Sequence, residues 1–188
     1  MKKIASFATL LAVLIVMLHA CSKDEKAVAP PVPGNEFLTT VQLKVTNAAN
    51  PADVQTASWK DLTPDDPDGV DISKAVLNLK PNSTYKVEVL FLDETQSPAG
   101  DVTEEIKERQ NYHLICFSNS AGLNLTVQRT DKDTNTPALE VGLEDQFTTG
   151  PASTGTLNLQ LRHQPNLKNG SCEPGSTDAD VDFTVNIK

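Results

Sequence analysis

From Phe37 to the C-terminus, apolar side chains recur at every second position, and this period limits what the chain can become. A strand turns successive side chains to opposite faces, so a segment with this rhythm buries one face and wets the other. Phe37, Val41, Leu43 and Val45 lie on one face, against Thr40, Gln42, Lys44 and Thr46. Tyr85, Val87, Val89 and Phe91 repeat the pattern, with Lys86 and Glu88 outward. So do Leu123, Leu125 and Val127, then Leu157, Leu159 and Leu161, then Val181, Phe183, Val185 and Ile187. Leu139, Val141 and Leu143 form a shorter run, and 54–60, 74–79 and 112–118 are further candidates.

Turn formers separate these runs: Pro64 to Gly69, Pro81-Asn82, Asp131 to Pro137, Gly150-Pro151 and Asn169-Gly170. The pattern predicts an all-β domain over 37–188, an antiparallel immunoglobulin-like β-sandwich of about eight or nine strands. A closed barrel is the alternative. Val181 to Ile187 must be paired or covered, because a bare apolar edge is an aggregation hazard. One segment leaves the rhythm. Asp101 to Arg109 reads as a short helix, with Asp101 and Glu104 as a capping-box pair and Val102 and Ile106 facing the sheets.

The first 36 residues read as an address and a tether. Lys2 and Lys3 precede an apolar run from Ile4 to Leu18, the layout of a signal peptide over 1–20. Leu18-His19-Ala20-Cys21 resembles a bacterial lipobox, which implies lipidation at Cys21 and anchoring by acyl chains. Ser22-Lys23-Asp24-Glu25 resembles the surface-export signal of Bacteroidota lipoproteins and implies display on the outer face of the outer membrane. Pro and small residues from Ala27 to Gly34 make 21–36 an extended spacer.

Composition removes several functions. The chain has 16 Lys and Arg against 25 Asp and Glu, a net charge of -9, which repels nucleic acid. No nucleophile elbow or phosphate-cradling glycine loop occurs, and the expectation is a protein that is not an enzyme. With Cys21 committed to lipid, Cys116 and Cys172 remain as a candidate disulfide, which would stabilise the fold by roughly 3–4 kcal/mol in the chain-entropy model.

The donors for a metal are few. His113 is in register with Ile115 and Phe117, and His163 extends the row of Leu157, Leu159 and Leu161. Glu104, Glu105 and Glu108 lie just upstream of His113. Two His with one or two carboxylates suit zinc or copper. Asp131-Lys132-Asp133-Thr134-Asn135 spaces oxygens as a calcium loop does, but Thr136 stands where that loop needs Gly and Gly142 where it needs Glu. These residues also suit ordinary solvated turns. A carbohydrate platform would have to use Trp59 with Tyr85 or Tyr112.

Several stretches together resemble a family of small Bacteroidota lipoproteins found with TonB-dependent receptors. They are Thr39 to Leu43, Leu92 to Pro98, Glu104-Glu105-Ile106, His113, Leu161 to Asn166 and Asp180 to Val185. Members often carry a type 1 periplasmic-binding label, although such a protein needs two α/β lobes that this strand pattern does not provide. The resemblance implies a sandwich domain with an accessory role in envelope uptake. The expectation is therefore a surface lipoprotein that captures a divalent metal or metal complex for a TonB-dependent receptor. A protein-interaction module and a carbohydrate binder are the rivals.

Overall fold

A computed structural model describes residues 38–63 and 69–188. The leader, Cys21, the Ser22 to Glu25 signal, the spacer, Phe37 and the Pro64 to Asp68 part of one turn lie outside the described residues.

Eleven strands and one α-helix occur among the described residues. In chain order they are β1 (Thr40–Asn47), β2 (Val54–Asp61), β3 (Val70–Asp71), β4 (Val76–Leu79), β5 (Thr84–Asp93), β6 (Gly100–Asp101), α1 (Val102–Glu108), β7 (His113–Asn119), β8 (Leu125–Arg129), β9 (Glu144–Thr149), β10 (Ser153–His163) and β11 (Ser176–Ile187). They form two sheets, as the period-two pattern requires. The larger has the order β3-β2-β1-β5-β9-β8, with β6 paired to β5. The smaller has the order β4-β11-β10-β7. Every pairing is antiparallel except β4 with β11, which is parallel.

The core is the set of residues that the alternation selects. Val41, Leu43, Tyr85, Val87 and Phe91 from the larger sheet are at most 1% exposed, as are Leu77, Leu157, Leu159, Leu161, Phe183 and Val185 from the smaller. Truncating one of the buried aromatics to Ala would cost about 3–5 kcal/mol. The Tyr85 hydroxyl accepts a hydrogen bond from the Lys80 amide at 2.7 Å, so its polar end is satisfied inside the core.

Helix α1 lies on β5. Val102 and Ile106 are buried, and the Thr103 hydroxyl is bonded to both the amide and the carbonyl of Phe91. Its cap differs from the capping box expected: the Asp101 carboxylate accepts from the Thr103 amide at 3.0 Å, while Glu104 lies 4.0 Å from Lys107 on the exposed face.

The sequence rhythm misplaces one strand. Leu139 to Leu143 is irregular, and the strand begins at Glu144. Gly142 adopts φ +94°, where a side chain would be strained, and a Cβ there would press on Ile115. Its amide donates to Asp131 Oδ1 at 2.7 Å and the Leu143 amide to Asp131 Oδ2 at 3.0 Å, while the Val141 and Leu143 carbonyls accept from the Ile115 and Val89 amides at 2.7 and 2.9 Å, so a side chain and two separate strands share this backbone in place of a continuous ladder. Val141 and Leu143 are still buried, which is what their hydrophobicity demanded.

The next strand carries an acid into the core. Asp145 shares the inward face of β9 with Phe147, is 2% exposed, and its carboxylate has no hydrogen-bond donor among the described residues. Burial pushes its pKa up to about 8; Asp131, Glu140 and Glu144 add to this and Arg129 opposes it. The folded chain therefore holds a proton that the unfolded chain releases near the ordinary carboxylate value of 3.8. Stability from this group is full below that value and is lost as pH rises through about 8. The Asp145→Asn variant, compared with the parent by urea unfolding, is expected to gain at least about 1 kcal/mol more at pH 8.5 than at pH 5.

Candidate functional site

Strands β7 and β10 pair antiparallel so that Ile115 faces Leu161, Phe117 faces Leu159, and His113 faces His163 at the end of the ladder. The apolar register thus brings the two histidines together. Their rings stack with centroids 5.0 Å apart and an interplanar angle of 15°. Cross-strand neighbours on one face are close enough for such contact.

His113 is held by the end of the helix. A 3-10 turn over Gln110–Tyr112 leads from α1 into β7. The imidazole Nδ1 lies 3.1 Å from the Arg109 carbonyl. A carbonyl can only accept, so Nδ1 carries the proton and Nε2 presents its lone pair. Burial lowers the His113 pKa to about 4, with further lowering by nearby His163, Arg109 and Lys168, while the Arg109 bond opposes the shift.

Facing Nε2 is a residue that alternation places on the wrong side. Leu161 pairs with Ala179 and Arg162 with Thr177, leaving Asp178 unpaired in a β-bulge. The inward run Ala179, Val181 and Phe183 would put Asp178 outside, but the bulge changes the local twist and re-aims its side chain. Asp178 Oδ2 lies 3.9 Å from His113 Nε2, and the two side chains are 7% and 8% exposed. Burial raises the Asp178 pKa, against the opposing pull of His163 and Arg162.

The loops around this pair are locked. Cys116 and Cys172 are joined, with Cα atoms 6.1 Å apart, which ties β7 to the loop after β10. Within that loop Gln164 is fully buried; its amide donates to the Tyr112 carbonyl at 2.6 Å and its Nε2 to the carbonyls of Ser171 and Pro174. Gly175 has φ +85°, and a Cβ there would overlap the His163 carbonyl. Lys168 Nζ lies 2.8 Å from Asp133 Oδ2 and donates to the Gln110 carbonyl at 2.9 Å, with both charged side chains almost wholly buried. One ammonium thus joins three segments that are far apart in sequence.

Asp133 is therefore neither a solvated turn residue nor part of a calcium loop. Its oxygens accept from the amides of Asn135 and Leu139, from Asn135 Nδ2 and from Lys168. Burial alone would raise its pKa, and these donors together hold it below the ordinary value. With both Asp131 oxygens also taken by amides, the acidic segment is an internal brace.

The remaining candidates do not join the histidines. Glu104, Glu105 and Glu108 are exposed on α1. Among the described residues, no group of three or more His, Cys, Asp or Glu is arranged to hold a metal ion. The aromatic platform also comes apart, since Tyr85 is core and Tyr112 lies elsewhere at 42% exposure. Sequence reading missed Asp178, and the one signal for it was the acidic run Asp178, Asp180, Asp182 leading into an apolar strand. No helix among the described residues is long and apolar enough to cross a membrane. No protein-family model, curated protein or solved structure matches this chain.

The low His113 value has a thermodynamic consequence. The unfolded imidazole binds a proton more readily than the folded one between about 6.5 and about 4. Stability from this group is full above the upper value and is lost as pH falls toward the lower. In the His113→Gln variant, the decline in unfolding free energy between pH 7 and pH 4.5 is expected to shrink, by up to about 3 kcal/mol.

Proposed function

We propose that this chain is a non-catalytic, lipid-anchored outer-membrane domain on the cell surface that captures a zinc- or copper-type ion, free or as a small complex, at the His113–His163 end. The observation that carries the reading is that His113 Nε2 and Asp178 Oδ2, both acceptors and both nearly buried, face each other at 3.9 Å. Two acceptors so placed need something positive between them. The gap exceeds a hydrogen bond but approaches the span of two metal–ligand bonds of about 2.0–2.2 Å each. A proton on Asp178 is the competing occupant, and it would relieve the repulsion without bridging the gap.

In this reading Asp178 takes the role expected of Glu104, Glu105 or Glu108, and the stacked His163 ring orients His113 from beside it instead of completing a three-ligand set. A site with so few protein donors leaves positions open for water or for the cargo's own ligands, which suits capture and release better than permanent storage. The lipobox at Cys21 and the Ser22 to Glu25 signal support a place on the outer face of the membrane. The resemblance to lipoproteins found with TonB-dependent receptors supports such a receptor as the destination.

Calorimetric titration of the full chain with zinc(II) and copper(II) tests this. His163→Ala and Asp178→Asn are each expected to weaken binding by at least about tenfold while circular dichroism stays that of the parent. Equal affinity in parent and variants would overturn the reading.

A further inference from the structure

The smaller sheet has an unfinished edge. Strand β4 covers β11 only from Thr184 to Ile187. The chain before β4 then leaves: the Ala75 amide turns back to the Ile72 carbonyl at 2.9 Å, and the Lys74 carbonyl accepts from the Ser58 amide of β2 at 3.0 Å. The Thr184 amide points out to the Ala75 carbonyl at 2.9 Å. Main-chain groups of a strand point the same way at every second residue, so those of Asp182 and Asp180 also point away from β10, beyond the place where β4 ends. Beside them lies a groove of about 380 Å³ between the edges of the two sheets, with Trp59, Ile72 and Ala75 on one side and the polar side chains of Asn158, Asp180 and Asp182 on the other.

The charges on this edge select the occupant. Asp180 and Asp182 are both exposed, and Asn158 Nδ2 holds them side by side with bonds of 2.7 and 2.9 Å. Among the described residues, no Lys or Arg pairs with either. Two unpaired carboxylates repel the same edge of a second copy and attract a cation. An added strand would turn every second side chain toward this groove, where the two acids and the Trp59 and Ile72 side chains lie together.

We propose that the Asp180–Phe183 edge of β11 binds an extended cationic peptide segment, with a basic residue at every second position, by strand addition. The main-chain groups of Asp180 and Asp182, without a backbone partner on this side among the described residues, give the pairing; Trp59 and Ile72 pack on the aliphatic stems of the basic side chains, and Asp180 and Asp182 take their charges. This is independent of the His113–His163 site.

Trp59 is the one tryptophan of the chain and sits in the groove, so its emission reports occupancy directly. The probe is an acetylated octapeptide of alternating valine and lysine, added to the full chain at low salt. A saturable change in emission is expected below about 1 mM. The double variant Asp180→Asn/Asp182→Asn is expected to weaken it about threefold to tenfold, and both groups are exposed, so the fold should tolerate the change. A peptide N-methylated at alternate residues tests main-chain pairing without altering the protein. Silence of Trp59, an equal response to a valine–glutamate peptide or to the N-methylated one, or sedimentation showing that a second copy already fills the edge would overturn the proposal.

Discussion

The register of β10 between β7 and β11 governs the rest of the molecule. Because side chains alternate with a period of two, a slip of one residue would send Leu157, Leu159 and Leu161 into water and bring Asn158, Gln160 and Arg162 inside. Burial of the three leucines makes that slip prohibitive at about 1.5–3 kcal/mol for each side chain. The same register places His163 against His113. The polar pair at the end of the ladder is therefore a by-product of the apolar pairs before it, and it is held as firmly as they are.

That end of the sandwich is organised by polar groups taken out of water. A buried ion pair is costly to form and costly to break, since removing either Lys168 or Asp133 alone would strand the other charge out of water. Together with the Cys116–Cys172 bridge, which closes a loop of 56 residues, they fix irregular segments that hydrophobic packing alone would leave loose. The result is a rigid frame in which a lone pair and a carboxylate can be held facing each other. Asp145 is the counterexample in the same domain: a carboxylate carried inward by strand parity with no donor to meet it among the described residues.

The two ends of β11 differ for a related reason. Near Asp178 the bulge breaks the pairing and turns a side chain inward. From Asp180 to Phe183 the pairing with β10 is regular, but β4 has not yet begun on the other flank. Strand parity and strand length thus give one segment two separate surfaces, a buried one facing the histidines and an exposed edge facing solvent.

Legibility followed the range of the interactions. The layered β fold, the core, the helix with Val102 and Ile106 inward, and the shared face of His113 and His163 all come from local periodicity, because the apolar face of a strand or helix must be buried wherever it packs. The lipobox-like pattern at the N-terminus is also local, and it lies outside the described residues. What the sequence could not decide depends on partners far away along the chain. Gly142 and the Asp131 carboxylate convert a run of alternating residues into an irregular segment, a bulge opposite Leu161 turns Asp178 toward His113, and Lys168 finds Asp133 across the loops. In each case a backbone irregularity or a single long-range polar bond overrides the local rhythm, and only the folded chain brings those groups within reach.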